Sequence, residues 1–234
     1  MIIIMKKSAT NSEVRKVIER AEKEGLTVQV NQLEKQQVLG LVGDTRLIQD
    51  VAFLRYEGVE NVERITNTYK LTSRIFHPQD TVVDVNGVKI GAGNFVTMAG
   101  PCSIEGLEQI RETAKMDQKG GAQILRGGAF KPRTSPYAFQ GLGEEVLRYI
   151  RQAADECGMQ VITEVMDEGH IDMVAHYSDI LQIGARNMQN FRLLEAVGKT
   201  GKPIGLKRGI SGTIDEWLNA AEYIAVQGNQ KIIF

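Results

Sequence analysis

The chain has 234 residues, 42% of them hydrophobic and 24% charged, which is enough apolar content to bury one medium domain and one small domain. Its formal net charge at pH 7 is −1, which disfavours nucleic acid as a partner because a duplex requires an extended basic surface. No run approaches the roughly 20 apolar residues of a membrane span, and two distant cysteines form no disulfide framework, so the sequence predicts a cytoplasmic protein with no membrane partner.

The first predicted unit covers residues 1–66. Strand-like runs lie at residues 2–5, 26–30, 37–42 and 59–65, with helix-like segments at 11–24 and 46–54. This order, βαββαβ, is ferredoxin-like. Residues 67–81 show no clear periodicity and are predicted to form a linker. Residues 82–94 are predicted to form a β-hairpin, because Asn86-Gly87 favours a type I′ turn.

The third predicted region, residues 95–234, alternates short apolar runs with helix-like segments. The runs lie at residues 95–100, 122–125, 159–163, 180–185, 204–206 and 231–234, and the segments at 107–119, 144–156, 169–176, 190–197 and 214–225. Such alternation is typical of parallel β/α units. We therefore predict an α/β fold, a (β/α)8 TIM barrel of which this chain holds about five and a half units. An apolar strand is a poor natural terminus, so we also expect a truncated copy.

Polar side chains come directly after these apolar runs. They include Cys102, Arg126, Glu164, Arg186 and Lys207. In a barrel of β/α units the loops after the strands form the active face, so these side chains are expected to converge. The cations among them would make a focused positive pocket on a mildly acidic body. Such a pocket suits a small ligand with several negative charges.

The stretch after the second barrel run has the chemistry of a phosphate-binding loop. Its two glycines, residues 127 and 128, let the backbone approach an anion, and Lys131 and Arg133 supply charge-assisted hydrogen bonds. Thr134 and Ser135 add neutral donors. By itself a Lys-Pro-Arg run is more often a solvated basic loop. The polar residues that follow the neighbouring apolar runs favour a phosphate-binding loop here.

Two of these residues also have a structural interpretation. Cys102 could be a buried structural thiol, as free cysteines often are. Its position after Gly-Pro at a strand end favours a role in the site. Glu164 could serve only as an ion-pair partner of Arg126 or Arg186, and the residues alone leave that alternative open.

Four motifs resemble those of the 3-deoxy-D-arabino-heptulosonate 7-phosphate (DAHP) synthase family. They are AGPCS at residues 99–103, LRGGAFKPRTS at 125–135, QIGARN at 182–187 and LKRG at 206–209. The resemblance covers essentially the whole chain and is closest to the subgroup with a ferredoxin-like domain ahead of the barrel. It implies an aldol-type condensation of phosphoenolpyruvate (PEP) with D-erythrose 4-phosphate, the first step of the shikimate pathway to aromatic amino acids.

The resemblance also implies roles for individual residues. PEP would be held by Arg126, Lys131, Ala185, Arg186 and Lys207. Erythrose 4-phosphate would be held by Pro132, Arg133, Thr134 and Ser135. Lys131 and Glu164 would be catalytic, with Glu164 near the attacking water. Cys102 would bind a divalent metal ion (Mn, Zn, Fe or similar) that polarises the tetrose aldehyde.

Assembly and regulation are likewise implied by the resemblance. The family suggests a homo-oligomer, a tetramer when full length, and feedback inhibition by tyrosine or phenylalanine through the ferredoxin-like domain. Its other metal ligands would lie beyond residue 234, so we expect this chain by itself to be inactive. Two alternatives stay open. One is a sister PEP-condensing enzyme, a 3-deoxy-aldulosonate phosphate synthase that uses another aldose phosphate, and the other is a non-catalytic ligand-binding fragment.

Overall fold

The computed structural model describes residues 1–33, 36–45, 48–64, 68–131, 135, 137 and 141–234. It divides into two compact units, Met1–Gln79 and Asp80–Phe234. Within the described residues, no helix is both long and apolar enough to cross a membrane.

In its described residues, the first unit is a four-stranded antiparallel sheet with two helices. Its elements are β1 (Ile2–Met5), α1 (Asn11–Lys23), β2 (Thr27–Gln32), β3 (Gln37–Val42), α2 (Val51–Leu54) and β4 (Val59–Glu63). The strand order is β2-β3-β1-β4, and each neighbouring pair is antiparallel. This arrangement confirms the ferredoxin-like βαββαβ prediction.

Local sequence accounts for the start of the first helix of this unit, whereas a side chain distant in sequence contacts the segment before the second. A capping box starts α1, in which the Glu13 amide donates to Thr10 Oγ1 at 3.3 Å and the Thr10 amide donates to Glu13 Oε2 at 2.6 Å. Of the predicted 46–54 helix the structure describes residues 48–54, and within these only one turn, α2, forms. Arg64 donates to the Ile48 carbonyl and pairs with Asp50. A side chain distant in sequence therefore binds a backbone carbonyl and a carboxylate near the start of that segment.

Residues 68–79 pack within the first unit. Leu71 and Phe76 are buried there. A Cβ on Gly40 of β3 would come 2.7 Å from Leu71 Cδ2, and Asn31 Nδ2 of β2 donates to the Phe76 carbonyl at 2.7 Å. This part of the chain is therefore held against β2 and β3.

The second unit begins with the predicted hairpin. Strands β5 (Val83–Val85) and β6 (Val88–Ile90) pair antiparallel. Asn86 and Gly87 have φ values of 49° and 95°, as a type I′ turn requires. The Asn86 side chain donates to Gln160 Oε1 at 2.8 Å and to Asp179 Oδ1 at 3.0 Å. The turn is therefore anchored where two barrel strands begin.

The rest of the described second unit is a parallel sheet whose strands alternate with helices. Its elements are β7 (Met98–Ala99), α3 (Leu107–Lys119), β8 (Ile124–Arg126), α4 (Glu144–Cys157), β9 (Gln160–Glu164), α5 (Ile171–Tyr177), β10 (Ile180–Ile183), α6 (Phe191–Gly198), β11 (Ile204–Leu206), α7 (Ile214–Ala225) and β12 (Ile232–Ile233). Six strands lie in chain order, β7 to β12, and all neighbours are parallel. The predicted incomplete TIM barrel is confirmed.

Alternate strand residues face two different cores. Leu125, Val161 and Leu181 are buried with the apolar residues of the helices, whereas Ile124 and Ile180 are buried with residues of the β5–β6 hairpin. This alternation is the period of a strand that is covered on both faces. The sheet is thus packed on both sides, which holds the carboxyl ends of its strands in fixed positions.

Candidate active site

The loops that follow β7 and β8 meet at the first part of the site. Arg126, the last residue of β8, donates from Nη1 to the carbonyl oxygens of Pro101 at 3.2 Å and Cys102 at 3.3 Å. Gly100 has a φ of 144°, and a Cβ there would come 1.8 Å from the Arg126 carbonyl oxygen. Only glycine permits this approach.

Lys131 is buried, with 6% of its surface exposed, and its ammonium contacts Cys102 twice. Nζ donates to the Cys102 carbonyl oxygen at 2.5 Å and to Sγ at 3.1 Å. The hydrogen bond and the positive charge of Lys131 lower the pKa of the Cys102 thiol. A Cβ on Gly128 would come 2.8 Å from the Cys102 carbonyl oxygen, so this position has little room for a side chain. The contact between the Lys131 ammonium and Cys102 Sγ favours the thiolate form of Cys102.

Glu164, at the end of β9, is the buried acid of the site. It is 9% exposed, and Gln182 Nε2 donates to its Oε2 at 3.3 Å. Burial raises the pKa of Glu164, while nearby cations act in the opposite direction. Those cations are Arg126, Lys207, Lys131 and Arg186. None of the described cations forms an ion pair with Glu164, so a shared positive field surrounds the carboxyl group.

The loops after β10 and β11 carry the other two cations. Gly184 follows β10, and a Cβ there would come 2.0 Å from Glu164 Oε1. Arg186 lies in a short 3₁₀ helix, Ala185–Asn187. Lys207 follows β11, and its backbone amide donates to the Ile183 carbonyl at 3.0 Å. The side chain of Lys207 is exposed, so this edge of the site is open to solvent.

The structure thus brings together six of the predicted residues. They are Cys102, Arg126, Lys131, Glu164, Arg186 and Lys207, with Ala185 beside Arg186. Of the residues predicted to hold erythrose 4-phosphate, Ser135 is exposed. Pro132, Arg133 and Thr134 lie outside the described residues.

Two buried polar residues of the strands support the site, and the sequence analysis did not single them out. Gln182 in β10 contacts Glu164, as above. Thr163 in β9 is fully buried and donates from Oγ1 to the Gly127 carbonyl at 2.6 Å, which ties the loop after β8 to β9. A lone polar residue inside an apolar strand is the sequence signal that could have identified both, because buried polar groups require partners.

Known protein families match both units of this chain. The DAHP synthetase I family matches residues 79–234, and the DAHP synthase ferredoxin-like domain matches residues 1–67. The chain belongs to the DAHP synthetase I family. The family expected from the four motifs is therefore confirmed.

Individual relatives agree with this family assignment. A phospho-2-dehydro-3-deoxyheptonate aldolase of Thermotoga maritima is 51% identical over 233 residues, which cover 100% of this chain and 69% of that protein. The crystal structure of a Thermotoga maritima DAHP synthase matches with a TM-score of 0.70 at 49% identity, over 99% of this chain and 67% of that one. A 2-dehydro-3-deoxyphosphooctonate aldolase of Rickettsia prowazekii is 33% identical, over 65% of this chain and 58% of that protein.

DAHP synthases are generally metal-dependent, and the donor set of this site bears on that property. Cys102 supplies one donor, held against the Lys131 ammonium. Among the described residues, no group of three or more His, Cys, Asp or Glu side chains is arranged to hold a metal ion. The donors that the structure describes therefore do not fit a metal site by themselves.

Proposed function

We propose that the protein condenses PEP with D-erythrose 4-phosphate to give DAHP and inorganic phosphate, a transferase reaction that opens the shikimate pathway. The observation that carries the proposal is the field of four cations around one buried carboxyl group at the carboxyl ends of parallel strands. PEP carries a phosphate and a carboxylate, so it matches this excess of positive charge. Membership of the DAHP synthetase I family supports the same reaction.

The cations would bind PEP and fix its orientation. Arg126 and Lys131 approach from the β8 side, and Arg186 and Lys207 approach from the β10 and β11 side. Guanidinium groups can bind phosphate or carboxylate oxygens through two hydrogen bonds. Holding two substrates at reacting distance supplies a large part of an enzyme's rate acceleration.

The carbon–carbon bond would form between C3 of PEP and the aldehyde carbon, C1, of the tetrose. The electron pair of the PEP double bond makes the new bond, and the aldehyde oxygen takes a proton, which we assign to the Lys131 ammonium. Water then adds to C2. The bond between C2 and the phosphate oxygen breaks, the new C2 hydroxyl becomes the ketone, and its proton departs with the inorganic phosphate. We propose that Glu164 accepts the proton of this water, because burial raises the pKa of its carboxyl group towards the range of a general base.

The tetrose would occupy the side of the site that follows Lys131. Ser135 would contact it, together with Pro132, Arg133 and Thr134, which lie outside the described residues. A second phosphate subsite is needed because both substrates carry a phosphate group. Cys102 as a ligand of Mn, Zn, Fe or a similar ion stays a prediction from the resemblance.

The ferredoxin-like unit would regulate the reaction. Each of the candidate site residues lies beyond residue 79, in the second unit, so the first unit contributes none of them. Its match to the DAHP synthase ferredoxin-like domain supports a regulatory role. We propose an aromatic amino acid, tyrosine or phenylalanine, as the effector.

The decisive experiment is a condensation assay on the gene product that carries this sequence. PEP is offered with erythrose 4-phosphate or with arabinose 5-phosphate, and both phosphate release and the 3-deoxy-aldulosonate product are measured. We expect product with the tetrose. Product with the pentose alone would favour the sister reaction, and PEP binding without product would favour a non-catalytic binding protein.

A pair of arginine variants localises the activity. Arg186→Ala should weaken PEP binding, measured by titration calorimetry, because it removes one of the four cations of the site. Arg192→Ala is the matched control, since that side chain is 83% exposed on α6, a few residues further along the chain. Equal PEP affinity in the two variants would remove Arg186 from the site.

A further inference from the structure

The thioether of Met188 connects the two loops that carry Arg186 and Lys207. Met188 follows the 3₁₀ turn that contains Arg186, and only 2% of its surface is exposed. The backbone amide of Gly209 donates to Met188 Sδ at 2.9 Å. Gly209 lies two residues after Lys207, so one sulfur atom bridges the neighbourhoods of two cations that are 21 residues apart in sequence.

The methyl end of Met188 lies against backbone of the loop after β11. A Cβ on Gly212 would come 2.7 Å from Met188 Cε, and a Cβ on Gly209 would come 3.2 Å from the same atom. Neither glycine has a positive φ, so their backbone conformations do not require glycine. A side chain at either position would therefore require the Met188 methyl group to move.

The loop after β11 is held at both ends and in the middle. At its start, the Lys207 amide donates to the Ile183 carbonyl at 3.0 Å. At its end, Thr213 caps α7 and accepts from the Glu216 amide at 3.1 Å. Met188 makes the contact in the middle. A cavity of about 240 Å³ lies beside it, lined in part by Ala185 and Arg186, so the loop has room to shift if this contact is lost.

We propose that Met188 is a positioning residue that sets the spacing between Arg186 and Lys207. The inference rests on the proposed function, in which both cations bind PEP. An unbranched thioether reaches between two backbones and accepts a weak hydrogen bond, whereas leucine has a similar volume and no acceptor. Displacement of a binding group by about 1 Å can cost on the order of 100-fold in rate. Because both cations are proposed to bind PEP, loss of this contact should weaken the binding of PEP more than that of the second substrate.

The first test is Met188→Leu in the gene product that carries this sequence. We expect the KM for PEP to rise about 10-fold while the KM for erythrose 4-phosphate and the melting temperature stay close to those of the wild type. Met159→Leu is the matched control, since Met159 is equally buried and precedes β9 at the opposite end of the sheet. An unchanged KM for PEP in Met188→Leu, or the same shift in both variants, would overturn the proposal.

Hydrogen exchange of the Gly209 amide tests the tether without any activity. In Met188→Leu this amide should exchange about 10-fold faster or more, and in Met159→Leu at the wild-type rate. Unchanged exchange would refute the tether even if the enzyme is active. A wild type that forms the tether and condenses neither sugar would instead refute the proposed function alone.

A double-mutant cycle tests the packing of the methyl group. Gly212→Ala should displace the loop and raise the KM for PEP, because its new Cβ would overlap Met188 Cε. Met188→Ala in the same chain removes that overlap, so we expect the double variant to recover part of the PEP affinity lost in Gly212→Ala. Simple additivity of the two single effects would contradict the contact.

Discussion

The ammonium of Lys131 donates to both the carbonyl oxygen and the sulfur of Cys102, at 2.5 and 3.1 Å. The two residues are 29 positions apart and belong to the loops after adjacent strands, β8 and β7. One buried cation thus fixes the relative position of two loops and presents its charge to the site. Loss of Lys131 should therefore remove both the contact between the two loops and its charge from the site.

Lys131→Ala should lower kcat about 100-fold or more, because the proposed role combines charge with proton donation to the aldehyde oxygen. The KM for PEP should rise by a smaller factor than kcat falls, because proton donation acts only in the transition state. Steady-state kinetics with each substrate varied in turn measures both values. Lys115→Ala, on the exposed part of α3, serves as the control and should behave as the wild type. Near-normal turnover in Lys131→Ala would contradict the catalytic role.

Glu164→Gln should change how stability depends on pH. Burial raises the pKa of Glu164 in the folded protein above its ordinary value of 4.5, so the fold disfavours the ionised carboxylate. The stabilisation from the protonated form is complete below pH 4.5 and is lost as the pH rises through the folded pKa. The wild type should therefore lose stability over this window relative to Glu164→Gln.

Urea unfolding of the 234-residue chain at a series of pH values from about 4 to 8 measures this difference. Glu168→Gln, a change at an exposed residue on the same loop, is the matched control and should follow the wild-type profile. Parallel profiles for the wild type and Glu164→Gln would show that the carboxyl group is not disfavoured by its surroundings.

Gly184→Ala should displace the Glu164 carboxyl group. The added Cβ would come 2.0 Å from Oε1, and the φ of Gly184, −68°, suits alanine, so the effect arises from the contact and not from backbone strain. We expect about 1–3 kcal/mol of destabilisation together with a loss of turnover. Gly106→Ala, where a Cβ meets open space, should be almost neutral in both measurements. If the two variants behave alike, Glu164 has room to move without consequence.

Asp179→Asn should destabilise the second unit without changing the affinity for PEP. Asp179 accepts from Arg151 Nη1 at 2.8 Å, from the Val161 amide at 2.7 Å and from Asn86 at 3.0 Å, at the strand ends opposite the candidate site. Loss of this partly buried charge should cost about 1–3 kcal/mol in the free energy of unfolding.

Asp155→Asn is the matched control for that change, because Asp155 pairs with the same Arg151 yet is 65% exposed. An exposed pair contributes little, so this variant should stay within about 1 kcal/mol of the wild type. Equal losses in the two variants would mean that burial of the Asp179 network adds nothing.

Deletion of residues 1–79 should abolish feedback inhibition by tyrosine or phenylalanine and retain condensation activity. The boundary follows the division of the described structure into two units, and each candidate site residue lies beyond it. Activity is measured with and without each amino acid, in the intact protein and in the deletion variant. Inhibition that survives the deletion would place the effector site in the barrel.

Local sequence determined the elements and their order. Short apolar runs that alternate with amphipathic segments predict parallel strands and helices at nearly the observed positions, since burial on both faces of a parallel sheet requires such runs. Asn86-Gly87 predicts its own turn, because few other pairs adopt two positive φ angles at low cost. The candidate site residues could be predicted in the same way, since the loops after parallel strands lie on one face.

Tertiary structure alone decided the contacts that give those residues their chemistry. The burial of Glu164, its proximity to Gly184, the hydrogen bonds from Lys131 to Cys102 and the bridge made by Met188 all join different loops. Likewise, Arg64 contacts the segment before α2, where local pattern predicts a longer helix. Propensity and periodicity act over a few residues, whereas desolvation, hydrogen bonding and steric contact depend on groups that only the folded chain brings together.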